Sequence, residues 1–346
     1  MKRYSHNHAR SFSHAPNWSE FLAGHPDANI FHDPRWGRLM EAAYGNKPFY
    51  LTARREGKVA GILQLVEQKS RLFGSHLCSL PYFDAAGILA KDQQPVESLV
   101  DRARELLASS GAKWVELRHR NISGGNLPNR TDKVDLRLAL PDTPDALWNQ
   151  LDAKVRNQVR KSQSMNLALH SGATDLLSEF YAVYVRNMRD LGSPPHSRRF
   201  FELIIEHLPE AVRVFVVRSD GTPVAGAFTL TDRRVTYIPW AASDWRAKHL
   251  CPNMFLYWSM LSDAVERGAK IFDFGRSTRD SGTHRFKKQW GAQEYPLVWE
   301  FVLAPNQETP GLRPDSAKYR FLVNCWRRMP VALARMLGPA LISKLS

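Results

Sequence analysis

Two short stretches recur in the same order along the 346-residue chain, and their recurrence constrains the fold more than any other feature. Arg55-Glu56-Gly57-Lys58-Val59-Ala60-Gly61 has a counterpart in Ser219-Asp220-Gly221-Thr222-Pro223-Val224-Ala225-Gly226, with one extra residue in the turn. Gly111-Ala112-Lys113-Trp114-Val115-Glu116-Leu117 matches Gly268-Ala269-Lys270-Ile271-Phe272-Asp273-Phe274, each preceded by an amphipathic stretch. Gly221 follows Gly57 by 164 residues and Gly268 follows Gly111 by 157, a nearly constant offset. A glycine after a helix and a glycine in a hairpin recur in many folds. Agreement in order, spacing and type of element is what points to duplication, so each half reads helix, hairpin, strand, helix, strand.

The elements follow from periodicity and punctuation. In the first half the pattern predicts a helix over 33–45, a hairpin of strands 49–53 and 59–67, and a strand over 76–80. The stretch SLPYFDAAGILA then reads as a pocket-lining loop. Val96, Leu99, Val100, Ala103, Leu106 and Leu107 lie on one face of a helix over 94–110, which Gly111 ends. Strands over 113–117 and 132–140 enclose an Asn/Gly/Pro-rich loop at 121–130.

Pro141 to Pro144 marks the boundary between halves, followed by one long helix over 145–164 with the ridge Leu147, Leu151, Val155 and Val159. Lys154, Asn157 and Lys161 share another face of it. Helices over 174–191 and 197–207, a hairpin of 212–218 and 224–231, a strand over 235–241, a helix over 253–267 and a strand over 271–274 come next. A cationic loop to Trp290 and a strand over 297–303 close the second half. The resulting division is a flexible arm over 1–29, a first domain over 30–140, a second over 141–304 and a basic amphipathic tail over 305–346.

Forty-eight Lys and Arg against 34 Asp and Glu leave a formal charge of +14, which favours polyanionic partners such as nucleotides, pyrophosphate-linked lipids or an acidic membrane. DNA is not expected as a partner, and sequence-nonspecific RNA binding would need aromatics interleaved with cations on one exposed sheet. Three dispersed cysteines, Cys78, Cys251 and Cys325, without metal-ligand spacing, indicate a reduced, cytoplasmic setting and no metal site. The basic N-terminus lacks a following apolar stretch, and no run approaches the ~18–20 apolar residues of a membrane span.

With DFGRS ending a strand, HRFKKQWGA after it and VAGAF on the preceding hairpin, residues 30–304 resemble the FemAB-type acyltransferases. SLPYFDAAGILA, SPPHSRRFFE and KYRFLVNCWRRMP resemble the branch encoded with exosortase and exopolysaccharide systems. The resemblance implies an α/β (α+β) chain of two tandem acyl-CoA N-acyltransferase (GNAT)-like domains, with mixed sheets flanked by helices. It further implies transfer of an acyl or aminoacyl group to an amine of a cell-envelope polysaccharide or its precursor, with no tightly bound cofactor. The donor stays open between an acyl-thioester and aminoacyl-tRNA. The nearest match to the pyrophosphate-loop pattern [QR]-x-x-G-x-[GA], Arg279 to His284, ends in His, and no long helical arm for tRNA is inserted. A non-catalytic protein that holds an anionic glycan precursor would use the same cleft and charge.

Acyl transfer to an amine needs a neutral nucleophile, a stabilised oxyanion and a carrier held by its phosphates. Lys287, in the FK pair that matches the family motif, is the candidate for stabilising the developing charge or gripping the donor, with Phe286 beside it. Arg276, Lys288 and Arg198 are candidate anion partners; for Arg198 a solvated helix face is the competing reading. Tyr237 and Trp240 either line the acceptor pocket or belong to the core. Asp273 is either a base raised by burial or a satisfied acceptor, and its repeat partner Glu116 favours the structural role. His284 reads as an incidental loop histidine. The tail, with Phe321, Leu322, Trp326, Met329, Leu333 and Leu337 among Arg320, Arg327, Arg328, Arg335 and Lys344, either lies on an anionic membrane or packs on the body.

Overall fold

The computed structural model describes residues 17–70, 74–121, 126–310 and 317–344. Its elements up to residue 139 are α1 (Ser19–Gly24), α2 (Arg35–Tyr44), β1 (Pro48–Arg55), β2 (Lys58–Ser70), β3 (Gly74–Cys78), β4 (Leu89–Ala90), α3 (Gln93–Ser110), β5 (Trp114–His119), β6 (Asn129–Arg130) and β7 (Lys133–Ala139). Then come α4 (Pro144–Gln150), α5 (Ala153–Gln163), β8 (Leu167–Gly172), α6 (Leu177–Leu191), α7 (Arg198–His207), β9 (Val212–Ser219), β10 (Thr222–Asp232) and β11 (Val235–Ser243). The chain ends with α8 (Pro252–Glu266), β12 (Ile271–Thr278), α9 (Gly282–Lys288), β13 (Gln293–Pro296), β14 (Val298–Leu303), α10 (Ala317–Arg328) and α11 (Val331–Ile342).

These elements form two units. The first comprises the described residues of Met1–Lys133, Pro296–Leu312 and Ser343–Ser346, and the second those of Val134–Tyr295 and Arg313–Ile342. The first sheet has the order β1-β2-β3-β5-β14-β6, with β4 on β2, and the second β13-β7-β12-β11-β10-β9-β8. Both are mixed: β3 runs parallel to β5, and β11 parallel to β12, while the hairpins are antiparallel.

The duplication read from the sequence is present in the backbone. Glu56 and Gly57 have φ of 52° and 80°, and Asp220 and Gly221 have 48° and 76°. Positive φ at both central residues makes each hairpin turn follow the twist of its strands, which glycine permits without a Cβ clash. Gly111 and Gly268, at φ 70° and 78°, end the equivalent helices α3 and α8 before the equivalent strands β5 and β12.

Two strands depart from the sequence expectation. The strand read over 132–140 as the end of the first half is β7, paired in the second sheet between β13 and β12. The strand read over 297–303 as the end of the second half is β14, antiparallel to β5 in the first sheet from Val298↔His119 to Leu303↔Trp114. Each sheet is thus completed by a strand from the other part of the sequence. Alternation of apolar residues specifies a half-buried strand but not its partner, which is decided by long-range packing.

The helix read over 145–164 is also divided, into α4 and α5. The Arg156 guanidinium donates to the Leu151 carbonyl at 2.6 Å, satisfying the end of α4, while Leu147, Leu151, Val155 and Val159 remain buried in one core. The arm expected over 1–29 is ordered from Trp18 onward, with residues 1–16 outside the described residues. Trp18 is 2% exposed, donates Nε1–H to Thr52 Oγ1 at 3.0 Å and meets Tyr50 edge-on, because so large an apolar ring gains more from burial than the segment loses in entropy.

The tail forms α10 and α11, which pack on α6 in the second unit. Trp326 and Ala334 are buried there, and Arg189 donates to the Met329 carbonyl at 3.0 Å. No helix among the described residues is long and apolar enough to cross a membrane.

Candidate active site

The second sheet opens where β11 leaves β12. Across β10 and β11, Ala225 faces Ser243 and Phe228 faces Trp240, but Leu230 faces Tyr237, so β11 carries one extra residue and bulges. Its parallel pairing with β12 joins Val235–Tyr237 to Ile271–Asp273, whereas β11 continues to Ser243 and β12 to Thr278. Beyond Tyr237 and Asp273 the strands part. The wedge lies at the carboxyl ends of two parallel strands, where mixed α/β sheets hold ligands.

A cavity of about 330 Å³ adjoins the end of β11. Gln158 and Lys161 from α5, Ser243, Lys248, Cys251, the first turn of α8 and Phe286 from α9 line it. Pro252 at the first helical position starts the 15-residue α8, whose positive dipole end therefore faces the cavity together with the two lysines. The turn carrying Lys248 is fixed by Asp244, which accepts from the Arg246 N–H at 3.1 Å and from the Arg186 guanidinium at 2.7 Å. Burial opposes ionisation of Asp244, but the bonds from Arg246 and Arg186 outweigh it and hold this carboxyl below the usual range. Cations, a helix N-terminus and the apolar surfaces of Phe286 and Met254 suit a phosphate-bearing carrier with an apolar arm.

Of the residues singled out from sequence, Phe286 lines this cavity, edge-on to Tyr257 at 4.9 Å. Lys287 is on helix α9 rather than in a loop, and its Nζ donates to the carbonyls of Gly275 and Arg276 at 3.0 and 2.9 Å. Asp273 is 3% exposed and accepts from the Gly275 N–H at 2.8 Å, with Arg137 Nε 3.3 Å from its other oxygen. Asp273 and Lys287 therefore grip the two sides of one residue. Gly275 has φ 70° in the middle of β12, so the D-F-G sequence is needed to bend the strand where the cleft opens. The Asp273 carboxylate is thus held by the Gly275 N–H and by the charge of Arg137.

Arg276 and Lys288 are exposed, Arg276 within β12 rather than after it. Arg198 lies on the exposed start of α7, 3.0 Å from Glu202, and is not among the residues lining the cavity. Trp240 belongs to an aromatic cluster with Phe200, Phe201, Phe228 and His196, at centroid distances of 5.0 to 5.7 Å, and burial lowers His196 to about 3. Tyr237, opposite Leu230, is buried at 5% exposed, whereas Trp240 is partly buried.

His284 is buried rather than mobile, accepting from the Asp280 N–H at 3.3 Å and lying 2.9 Å from Glu294. Hydrogen bonds from Arg279 and His284 hold the Glu294 carboxyl below the usual range. The segment compared with the pyrophosphate pattern is thus a self-satisfied turn into α9, and the helix start facing the cavity is that of α8. Sequence reading missed Lys248, and it noted Lys161 only as a helix face. The available signal was Pro252 at a helix start directly after Arg246, Lys248 and His249.

Residues 150–288, which include every residue lining the cavity, match the family model described as an acetyltransferase (GNAT) domain. A comparison with curated proteins finds no match. Among solved structures, FemX superimposes with a TM-score of 0.63 at 16% identity, over 82% of this chain and 94% of that one. L-PGS from Bacillus licheniformis gives 0.55 at 11% identity, over 86% and 98%. The C-terminal domain of a putative lysylphosphatidylglycerol synthetase from Agrobacterium fabrum gives 0.54 at 14% identity, over 78% and 90%. At these identities the likeness is one of fold. The cavity therefore lies within the segment that matches the acetyltransferase (GNAT) domain model, in a mixed α/β chain similar in fold to FemX.

Proposed function

We propose that the chain transfers an acyl or aminoacyl group to an amine of a cell-envelope polysaccharide or its precursor. The observation that carries this reading is the cavity where the start of α8, Lys161 and Lys248 converge beside the parted strands, inside the GNAT match. One of the similar structures is named as a domain of a putative lysylphosphatidylglycerol synthetase, which supports an aminoacyl donor. The resemblance of SLPYFDAAGILA and KYRFLVNCWRRMP to the exopolysaccharide-associated branch supports the acceptor.

In this reading the donor's phosphates lie against Lys161, Lys248 and the α8 dipole, and its acyl arm runs past Phe286 into the wedge. A neutral acceptor amine attacks the carbonyl there. The Lys287 ammonium, fixed on the Gly275 and Arg276 carbonyls, places positive charge beside the developing oxyanion and holds the bend that shapes the wedge. Collapse expels the carrier, and the amine's proton leaves with the carrier or through the substrate, because Asp273 is engaged by Gly275 and Arg137.

Mass spectrometry of the envelope polysaccharide tests the proposal. An acyl or aminoacyl mass should disappear when the chain is removed, return with the wild type, and return at about 10⁻² of that rate with Lys287→Met. A polysaccharide of unchanged mass, with the glycan precursor still bound by the purified chain, would support the non-catalytic binding protein instead.

A further inference from the structure

We infer that the outer face of α10 and α11 is a docking surface for an anionic membrane. α11 buries small residues and leaves its large apolar ones largely exposed, unlike a helix that serves only to cover a core. On α11, Ala334 and Gly338 are buried, and a Cβ at Gly338 would stand 2.4 Å from Pro195, so the helix is pressed onto the body through a side lacking bulk. Leu333, Leu337 and Leu341, at i, i+4 and i+8, form a half-exposed ridge along one flank of that buried edge, 43%, 41% and 43% exposed, and Met336, on the far side, is 66% exposed. On α10, Trp326 is buried while Phe321 and Leu322 are 65% and 56% exposed.

The charge around this ridge has one sign. Residues 317–344 contain no Asp or Glu, and Arg320, Arg327, Arg328 and Arg335 are exposed. A second copy of the same surface would bring like charges together without a carboxylate to pair them, whereas anionic headgroups supply the missing charge. Each helix has 12 residues, about 18 Å at 1.5 Å per residue, too short for the ~30 Å hydrocarbon layer, so the pair lies in the interfacial plane.

Sedimentation of the full chain with vesicles tests the inference. Binding to phosphatidylcholine vesicles containing about a quarter phosphatidylglycerol should exceed binding to phosphatidylcholine alone by at least about tenfold. Met336→Glu with Leu337→Glu, and separately Arg320→Gln with Arg328→Gln, should each lower that binding about tenfold or more. Because these side chains are exposed, the thermal unfolding midpoint should not change, which keeps a loss of binding distinct from misfolding. The inference is overturned by absent vesicle binding, by equal binding to both vesicle types, or by binding that neither pair of substitutions weakens. A concentration-dependent dimer that M336E/L337E dissociates, without vesicle binding, would assign the face to a second copy and likewise overturn it.

Discussion

Glu116→Leu is expected to lower the stability of the first unit by about 3–5 kcal/mol, read as an earlier transition in urea. Arg118 is 1% exposed, its Nε donates to Glu116 at 2.6 Å and Nη1 to the Phe83 carbonyl at 2.8 Å, and its guanidinium stacks on Trp299 at 4.4 Å. Removing the carboxylate leaves this cation buried without its closest counter-charge. Nearby Cys78 does not substitute for it, because burial pushes the thiol up to about 12. Exchanging both partners, as Glu116→Leu with Arg118→Met, should restore most of the loss, since an apolar pair of similar volume leaves no orphaned charge. A single variant within about 1 kcal/mol of the wild type would show that the pair is not what orders this end of β5.

The second large effect is expected at the cavity. Lys161→Glu with Lys248→Glu should raise the donor's KM at least about 10²-fold and flatten its salt dependence, with a smaller change in kcat. Both lysines are exposed at the mouth and are not placed in the core, so their reversal should leave the unfolding transition in place, in contrast to Glu116. Reversal exchanges two attractions for two repulsions in a site that also faces a helix N-terminus, so the effects act on the donor's phosphates together. Steady-state kinetics with an acyl-coenzyme A and with an aminoacyl-tRNA, using whichever supports transfer, provides the measurement. A KM altered less than about threefold would place the donor elsewhere.

Much of the scaffold was legible because its signals are local. Positive φ at Gly57, Gly221, Gly111 and Gly268 leaves a mark in the sequence, and apolar periodicity marks α3 and α6. What escaped depends on contacts distant in sequence. The placement of β7 and β14 is one case: an alternating strand looks the same whichever sheet receives it. The break between α4 and α5 is another, held by Arg156 on the Leu151 carbonyl. The site was legible in part. Asp273, Gly275, Phe286 and Lys287 are brought together, but as a clamp on a bent strand beside the cavity, while Lys161 and Lys248 come from elements about 90 residues apart in sequence. Tyr237 is buried, Trp240 partly buried and Arg198 exposed, and none of the three is among the residues lining the cavity.

The central claim is that the donor occupies the cavity at the start of α8, and the reactivity of Cys251 reports on it directly. This thiol lines the cavity, Cys325 is exposed on α10, and Cys78 is buried, so one alkylation experiment with mass-spectrometric readout contains its own controls. At a donor concentration about ten times Kd, alkylation of Cys251 should slow about tenfold while that of Cys325 is unchanged, and K161E/K248E should lose the protection. Unchanged alkylation of Cys251 at a donor concentration that saturates transfer would contradict the account.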